Sequence, residues 1–408
     1  MEHALVDAFR GAMQAAAASL FAAPDRAVTL VHHNDTDGIA AGAILRSSLT
    51  RAGFAVENIP LERVHPAFLP AIHRPGRRII LYADLGGQSA EAISRHVRED
   101  SRAIILDHHL PAAGEFPRIL QVNPELVGID GDRECAAATA ACFFALALDR
   151  ANEDVAFLAL LGALGDHQMA EGRCTGLNAL LLETAAQRGD LRPAGTAGAP
   201  VWRVRRFQDR TLQETEQLIL ALAVNGYYRH GADLAVEACL VGPDERTLAF
   251  GAETAAIEGD RFAGEMDRIR REGLARQGQI LWTDVEGRFY PLGLKAIGLL
   301  CDRIIREGAA EGNWYVAGFQ RFPRENPYLG PFPGGETKVS FRVTPGMKRA
   351  IERGERPDLM RLVPESVRKV GGFAEACHRF TAASTIPEDR KADLVRFLAE
   401  AAGPAAGR

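Results

Sequence analysis

Short apolar runs, each followed by a polar and acidic turn, dominate the first half of the chain. The clearest runs are Ala27–Val31, Ile79–Leu81 and Ala103–Leu106. Unbroken apolar runs of this length are typical of strands that are buried on both faces of a parallel sheet. The predicted strands cover residues 27–33, 54–60, 78–83 and 102–107.

Helical patterns fill most of the intervals between these strands. The stretch from Gly38 to about Arg51 is rich in glycine, alanine and serine, which would let a helix lie close to the sheet. Gly189–Pro200 is rich in glycine, alanine and proline and predicts a loop. The other predicted helices cover residues 88–98, 133–150, 153–164, 209–224 and 260–277, and strand-like segments return at 313–319 and 337–343.

This alternation of strands and helices predicts an α/β fold in two domains, as expected for 408 residues. We expect an N-terminal domain with a doubly wound parallel sheet, joined by a helical connector to a smaller α/β C-terminal domain. The predicted boundaries are 1–225 for the first domain, 226–280 for the connector and 281–408 for the second domain. The 190–200 loop lies within the first domain.

Composition narrows the class of protein. The chain is 47% hydrophobic and 25% charged, and its formal net charge of −5 argues against a general nucleic-acid coating protein, although a local basic groove remains compatible with it. Its six cysteines form no CxxC pair, which favours a reducing, cytoplasmic location. The alanine-rich stretch 15–23 follows Glu2 and Asp7, and no apolar run reaches transmembrane length. We therefore predict an ordinary helix there and no association with a membrane.

Four clusters of acids and histidines stand where a predicted strand or helix ends. Ligands of open α/β sheets gather at the carboxyl ends of the strands. Because so many carboxylates would repel one another, the clusters predict a hard divalent cation, Mn²⁺ or Mg²⁺, held by oxygen and imidazole ligands. The clusters are His33-Asn34-Asp35-Thr36-Asp37-Gly38, Tyr82-Ala83-Asp84, Asp107-His108-His109 and Gly165-Asp166-His167.

Each cluster by itself has a simpler interpretation. Alternation along an extended segment would place His33, Asp35 and Asp37 on one side, but Asp35 or Asp37 would also suit an Asx turn or a helix N-cap. The adjacent His108 and His109 cannot both face one way, so one is expected to bind metal and the other to meet substrate. The alternative for that pair is a buried capping cluster. Asp84 and Asp166, taken alone, are compatible with ordinary turn acids.

Together the motifs resemble the DHH phosphoesterase superfamily, named for the motif that Asp107-His108-His109 matches. Within it they resemble the RecJ-like, archaeal-type single-strand-specific exonucleases. The metal motifs occur in the family's order: HxDxDG, a strand-end Asp, DHH and a helix-borne Asp. The resemblance extends over residues 27–390. Its other segments are Asn225–Tyr228, similar to the piece that joins the domains, Lys338–Arg342, similar to the substrate-contacting strand, and Gly371-Gly372 with His378–Ala383, similar to the GGGHxxAAG signature.

The resemblance implies two Mn²⁺ or Mg²⁺ ions and a metal-bridging hydroxide as the attacking group. Asp84 would bridge the two ions, His109 would approach the scissile phosphate, and Asp107 would belong to the same catalytic group. The first ion would bind His33, Asp35 and Asp84, and the second Asp37, Asp84, His108 and Asp166. The implied substrate-binding residues are Arg342, Gly371, Gly372, His378 and Arg379.

The implied activity is a phosphodiesterase that cuts single-stranded DNA, RNA or short oligonucleotides from an end. Replication or repair proteins are the implied partners. Enzymatic alternatives with the same metal motif are an oligoribonuclease or nucleoside-bisphosphate phosphatase, a pyrophosphatase, and a cyclic-dinucleotide hydrolase. A weakly active scaffold or nucleic-acid-binding subunit of a replication or repair assembly is the non-enzymatic alternative.

The C-terminal signature departs from the family pattern. Glu375-Ala376-Cys377 replaces the glycine triplet, and Thr381-Ala382-Ala383 replaces the closing AAG. Glycines in such a loop let backbone amides approach a phosphate, so side chains there are expected to hinder it. The upstream pair Gly371-Gly372 is expected to compensate by shifting the loop. Tyr227, Tyr228 and Phe380 are candidates for base stacking, with core packing as the alternative.

Overall fold

The computed structural model describes residues 3–22, 25–196 and 199–403. Its contacts divide the chain into two compact units. The first unit takes the chain up to Glu253 together with Pro327–Leu329, and the second takes Thr254–Asn326 and Gly330 onward. The boundary falls inside one long helix within the segment predicted as a helical connector. Residues 197–198 of the predicted loop and 404–408 of the predicted C-terminal domain lie outside the described residues.

A five-stranded parallel sheet forms the centre of the first unit, as predicted. Its strand order is β2-β1-β3-β4-β5, and every neighbouring pair is parallel. β1, β3 and β4 are almost wholly buried, which explains their unbroken apolar sequences. The strands are β1 (Ala27–His33), β2 (Ala55–Leu61), β3 (Ile79–Ala83), β4 (Arg102–Leu106) and β5 (Ile119–Val122).

Helices cover both faces of this sheet, so the doubly wound prediction is confirmed. One apolar cluster joins residues of the first, second, fifth and sixth helices to one face, and another joins the third and fourth helices to the other. The predicted helix 88–98 is reduced to a single short helix. The helices up to residue 241 are α1 (His3–Phe21), α2 (Thr36–Arg51), α3 (Leu69–Ile72), α4 (Ala90–Ser94), α5 (Ala137–Leu148), α6 (Ala156–Gly165), α7 (Gly176–Gln187), α8 (Leu212–Leu220) and α9 (Gly231–Val241).

Small residues bring α2 against the sheet, as its composition predicts. A Cβ added to Gly42 would lie 2.6 Å from the ring of His32 on β1, too close for any real contact. His32 is itself fully buried, between the backbone oxygen of His33 and the amide of Asn58. The helix therefore begins close to the carboxyl end of β1, where the first acidic cluster lies.

The predicted loop at 190–200 is wrong in its described part. Leu191–Thr196 (β6) and Ala199–Val204 (β7) pair as an antiparallel hairpin, and β7 also pairs with Arg210–Thr211 (β8). Composition alone suggested a loop, but Leu191 and Val204 are buried opposite each other and anchor the strands. Trp202 donates from Nε1 to the carbonyl of Gly172 at 2.7 Å, which fastens the hairpin to the segment that follows Asp166.

A six-stranded mixed sheet forms the second unit, with the order β15-β16-β14-β11-β10-β9. Apolar clusters pack on both of its faces. Its smaller size and mixed topology agree with the predicted α/β C-terminal domain. The strands are β9 (Ala275–Gln277), β10 (Ile280–Asp284), β11 (Tyr315–Arg321), β14 (Glu336–Val343), β15 (Phe373–Cys377) and β16 (Thr381–Pro387), with a separate pair of short strands β12 (Glu325–Asn326) and β13 (Gly330–Pro331).

The remaining helices are α10 (Glu245–Glu272), α11 (Ala296–Arg306), α12 (Pro345–Glu352), α13 (Leu359–Lys369) and α14 (Lys391–Ala402). α10 is the long helix that crosses the unit boundary, and it starts earlier than the predicted helix at 260–277. None of the helices in the described parts of the chain has both the length and the apolar character needed to cross a membrane.

Candidate metal centre

Three strand ends and one helix end bring the four clusters together. β1 ends at His33, β3 ends just before Asp84, and β4 ends just before Asp107. These three strands are neighbours at the centre of the sheet and run in the same direction, so their carboxyl ends share one edge. α6 ends at Gly165 and delivers Asp166 as its C-cap residue. Ligand-type atoms of these residues form three overlapping groups, and within each group all the atoms lie within 4.8 Å of one another.

The first group joins His33, Asp35 and Asp84. Nδ1 of His33 lies 2.9 Å from Oδ2 of Asp35 and 3.4 Å from Oδ2 of Asp84. Nε2 of the same ring is 3.1 Å from the carbonyl oxygen of Glu62. Because a carbonyl only accepts, Nε2 carries the proton and the lone pair on Nδ1 faces the two carboxylates.

The second group joins Asp37, His108 and Asp166. Nε2 of His108 lies 2.9 Å from Oδ2 of Asp166, 3.5 Å from Oδ1 of Asp84 and 3.8 Å from Oδ2 of Asp37. Nδ1 of His108 donates to the carbonyl of Gly131 at 2.7 Å. His108 therefore presents Nε2 to the acids, whereas His33 presents Nδ1. In both rings a backbone carbonyl selects the tautomer.

The start of a helix holds Asp37. Ala137 N and Ala138 N, at the first turn of α5, donate to its two carboxylate oxygens at 2.7 and 2.8 Å. Such amides are otherwise unsatisfied at a helix start and favour a negative charge. A side chain at Gly162 on α6 would collide with the same carboxylate, so the glycine there makes room for it.

The prediction that His33, Asp35 and Asp37 share one side of an extended segment is wrong. The strand stops at His33, and Asp35 is the N-cap of α2, accepting from Gly38 N at 3.0 Å. The turn into the helix sends Asp37 to the second group while His33 and Asp35 stay in the first. The capping alternative and the cluster alternative are both realised, because Asp35 caps the helix with one oxygen and approaches His33 with the other.

A divalent cation fits these residues. The third group joins Asp84 to Asp107, His108 and His109, so Asp84 belongs to two groups and approaches the second. Asp84 is buried in a left-handed backbone conformation with φ 60°, and its two carboxylate oxygens have no hydrogen-bond partner among the described residues; nor has Nε2 of His108. Lone pairs that converge without hydrogen bonding to one another are the arrangement that ligand atoms adopt around a metal ion. Every member of the groups is an aspartate or a histidine, which suits Mn²⁺ or Mg²⁺.

Electrostatics point the same way. Burial, followed by the charges of Asp84 and Asp166, raises the pKa of Asp37, and burial followed by the charge of Asp35 raises the pKa of Asp84. Burial also acts to raise the pKa of Asp166, but the interaction with the neighbouring His108 imidazole outweighs burial and lowers the pKa of that carboxyl. Carboxylates packed this closely are stable as anions only when a cation offsets their repulsion.

Asp107 orients His109. Its Oδ1 accepts from Nδ1 of His109 at 2.8 Å, and its Oδ2 accepts from Gly87 N at 2.8 Å. Burial acts to raise the pKa of Asp107, but the hydrogen bond and charge of His109 overcome it and lower that pKa. Burial likewise acts against protonation of His109, yet its bond to Asp107 raises the imidazole pKa. The side chain of His108 is 2% exposed and that of His109 41% exposed, so the two adjacent rings face different surroundings.

The predicted substrate-binding residues all lie in the second unit. Arg342 on β14 pairs through Nε with Asp302 at 2.7 Å and lies beside Thr381 in the sheet. His378 and Arg379 form the turn between β15 and β16, where His378 N donates to Thr381 O at 2.8 Å. Arg379 lies over the ring of Phe380 at 5.2 Å. These three residues therefore share one end of β14 and β16.

Gly371 and Gly372 do not join them. They precede β15, whose first residue Phe373 lies beside Thr385, and Thr385 lies beside Lys338 at the far end of β14. The expected compensation by a shifted loop is therefore wrong, because residues 373–377 form a paired strand and not a loop. Gly372 instead permits close packing against the carbonyl of Thr385.

The side chain of Glu375 also has a role that the sequence did not indicate. It forms an ion pair with Lys338 and accepts from Oγ1 of Thr385 at 2.5 Å. Lys338 and Glu375 are each only 12% exposed. An internal carboxylate therefore neutralises the lysine of the strand that resembles a substrate-contacting strand.

Two amide side chains near the centre, those of Gln168 and Asn178, gave no signal in the sequence. Gln168 and Asn178, both buried, link the carbonyl of Gly131 to the start of α5 through side-chain hydrogen bonds.

Tyr227 is fully buried and donates to the carbonyl of Pro60, and Tyr228 donates to Glu62 at 2.6 Å. These contacts make both tyrosines part of the packing around β2, so the core alternative holds for them.

Comparison with known sequences agrees with the motifs. Residues 27–165 match the family model described as the DHH family, N-terminal domain. An uncharacterized protein of Methanocaldococcus jannaschii is 30% identical over 168 residues, which are 39% of this chain and 37% of that protein. The chain thus matches little more than a third of this relative's length.

Solved structures extend the likeness to the whole chain. A DHH domain described as belonging to a family of ribosomal proteins has a TM-score of 0.65 at 15% identity, over 100% of this chain and 94% of that chain. RecJ from Thermus thermophilus, in complex with Mn²⁺, has a TM-score of 0.64 at 15% identity, over 97% and 55% of the two chains. CDC45 from Entamoeba histolytica has a TM-score of 0.57 at 9% identity, over 97% of both chains.

At these identities the likeness establishes the fold alone, and the family match covers the segment that carries the first three acidic clusters and ends beside the fourth. Residues 27–165 are therefore similar to the N-terminal domain of the DHH family, within a chain whose fold resembles that of RecJ.

Proposed function

We propose that this protein is a phosphodiesterase dependent on two divalent cations, Mn²⁺ or Mg²⁺, that hydrolyses single-stranded nucleic acid or short oligonucleotides from an end. The single observation that carries the proposal is the set of three overlapping ligand groups, two of which contain Asp84. The DHH-family segment and the RecJ-like fold support a hydrolase of this class.

The side chains divide into two ligand sets in this proposal. His33, Asp35 and Asp84 hold one ion, and Asp37, Asp84, His108 and Asp166 hold the other. Bound cations of this kind polarise the phosphoryl oxygens and activate water for attack. Asp84 keeps the two sets together, because its oxygens approach His33 from one side and His108 from the other.

His109 acts on the substrate in this proposal. Its Nδ1 proton is held by Asp107, so Nε2 is the nitrogen left to meet substrate, on a side chain that is 41% exposed. The raised pKa favours an imidazolium that donates a hydrogen bond to a phosphate oxygen or a proton to the leaving oxygen. Asp107 positions that ring and is not itself a ligand. Arg342, His378 and Arg379 bind substrate phosphate at one end of the second unit's sheet.

One experiment separates this function from the other phosphoesterase activities. End-labelled single-stranded DNA, RNA, dinucleotides, nucleoside bisphosphate, cyclic dinucleotide and pyrophosphate are each incubated with Mn²⁺, Mg²⁺ or EDTA. We expect ladders from one end of the single strands, in the presence of metal only. Release of phosphate from the small substrates with intact single strands would contradict the exonuclease assignment.

A binding protein of a replication or repair assembly is the second candidate function. The pairing of Lys338 with Glu375 favours it, because a neutralised lysine binds phosphate weakly. The CDC45-like fold is compatible with it. Binding of single strands without cleavage in Mn²⁺, by protein that has bound two ions, would support this candidate over the first.

A further inference from the structure

A buried amide on α7 connects two of the proposed metal ligands. Asn178 is fully buried on a helix for which the sequence carried no prediction. Its Oδ1 accepts from Ala136 N at 3.2 Å and from Oγ1 of Thr139 at 2.6 Å. Its Nδ2 donates to Oε1 of Gln168 at 2.8 Å. Every polar atom of the side chain is therefore engaged in the interior.

The hydrogen bond to Gln168 connects Asn178 to His108. Nε2 of Gln168 donates to the carbonyl of Gly131 at 2.9 Å, and the same carbonyl accepts from Nδ1 of His108 at 2.7 Å. The orientation of the Asn178 and Gln168 amides is determined by Ala136 N, because a backbone N–H can only donate. Oδ1 of Asn178 must face it, so the Gln168 amide must turn its own nitrogen to Gly131.

The hydrogen bonds to Ala136 and Thr139 connect Asn178 to Asp37. Ala136 is the N-cap of α5, and the next two amides of that helix donate to the carboxylate of Asp37. Ala136 N and the hydroxyl of Thr139 both belong to the first turn of this helix. By binding them, Asn178 fixes the turn that holds Asp37. One side chain thus controls the supports of two ligands whose nearest atoms, His108 Nε2 and Asp37 Oδ2, are 3.8 Å apart.

We propose that Asn178 is a positioning residue that holds His108 and Asp37 at the spacing required for one of the two cations. This inference rests on the proposed metal site and names a residue that sets its affinity. The partners that orient metal ligands typically change metal affinity by about 10–100-fold when they are removed. The first group, built on His33 and Asp35, has its own supports at Glu62 and Gly38 and is independent of Asn178.

The test is Mn²⁺ titration of EDTA-stripped wild type and of Asn178→Leu by calorimetry, with melting temperatures measured at each metal concentration. Asn152→Leu is the matched control, because Asn152 is an equally buried amide that bonds to Ala145 and Arg51, away from the ligands. Both substitutions should lower the melting temperature in EDTA. Only Asn178→Leu should weaken one of the two Mn²⁺ equivalents, by about 10–100-fold, and reduce the stabilisation that Mn²⁺ adds.

Equal Mn²⁺ affinity at both equivalents in Asn178→Leu and Asn152→Leu would overturn the inference and leave the two-metal proposal standing. Wild type that binds no Mn²⁺ would overturn the two-metal proposal itself. If Asn178→Leu does not fold, Gln168→Met decides the question, since it cuts only the link to His108. Weakening of one equivalent by about tenfold supports the inference, and unchanged affinity contradicts it.

Discussion

Single atoms decide how the two candidate ligand histidines act. His33 turns Nδ1 to the acids and His108 turns Nε2, and in each ring the opposite nitrogen is tied to a backbone carbonyl. The two positions are therefore not interchangeable in replacement experiments. A substitute at His33 must place its donor atom close to the backbone, whereas one at His108 must reach further.

Asp84 is the residue on which both ligand sets depend. Asp84→Asn preserves the size of the side chain, and asparagine tolerates the left-handed backbone at this position. We expect the rate of hydrolysis to fall at least tenfold. A ligand shared by two cations stabilises the transition state by several kcal/mol, and about 1.4 kcal/mol corresponds to a factor of ten in rate. The melting temperature in EDTA should not fall, since one carboxylate of a repelling cluster has been neutralised.

Asp100→Asn is the matched control, because Asp100 is an exposed acid before β4 that pairs with Arg98 at 3.3 Å. Rates of single-strand hydrolysis at saturating Mn²⁺ provide the measurement. More than a tenth of the wild-type rate in Asp84→Asn would mean that this carboxylate does not serve two cations.

Glu375 is expected to limit phosphate binding in the second unit. Glu375→Gln keeps a hydrogen-bonding side chain beside Thr385 but removes the charge that faces Lys338. Affinity for a short oligonucleotide in EDTA, measured by fluorescence anisotropy, should rise by about three- to tenfold as a charge-assisted contact becomes available. Glu365→Gln, which removes an exposed partner of Lys369, is the control. Unchanged affinity would assign Glu375 a purely structural role.

The residues of the acidic clusters could be predicted from the sequence, because each cluster is local in sequence and follows a clear strand or helix. The sequence could not predict their supports. Asn178, Gln168 and the carbonyl of Gly131 act through bonds between segments that are ten to about forty residues apart. Nothing in the composition around Asn178 distinguishes it from an ordinary helical asparagine.

At the scale of elements, apolar runs predicted the central strands correctly, because a strand buried on both faces leaves an unambiguous pattern. Strands with one solvent-exposed face were harder to predict. The hairpin of β6 and β7 was obscured by glycine and proline, and β15 by its likeness to a glycine loop. In both cases pairing with a neighbouring strand, which depends on distant sequence, decided the conformation.

The face of the first sheet that α3 and α4 cover carries a buried histidine that should make stability depend on pH. Nε2 of His73, at the end of α3, lies 2.8 Å from the hydroxyl of Tyr82 on β3. Burial, assisted by the charges of His96 and Arg77, lowers the pKa of His73 to about 4. Because the folded pKa is below the ordinary 6.5, the stabilisation is complete above pH 6.5 and is lost as the pH falls towards 4.

His73→Gln should remove this dependence, because glutamine can still bond to Tyr82 but does not titrate. The free energy of unfolding, from urea titrations between pH 4 and 7 in EDTA, should fall less steeply in the variant than in wild type. His3→Gln, at an exposed position of α1, should follow the wild-type curve. Parallel curves for His73→Gln and wild type would show that the pKa of His73 is the same in the folded and the unfolded chain.

At the scale of the whole molecule, the chain separates its chemistry between two units. All proposed metal ligands lie in the first unit, and all proposed phosphate-binding residues lie in the second. Changes in the second unit should therefore alter substrate affinity without changing metal affinity. The order of motifs along the chain predicted this division, but the return of Pro327–Leu329 to the first unit had no signal in the sequence.

Anomalous diffraction from crystals soaked with Mn²⁺ would show directly whether Asp84 lies between two cations. We expect two anomalous peaks about 3.5–4 Å apart, with the carboxylate of Asp84 in contact with both ions. His33 Nδ1 should contact one ion and His108 Nε2 the other. A single peak, or two peaks of which only one contacts Asp84, would contradict the two-cation centre.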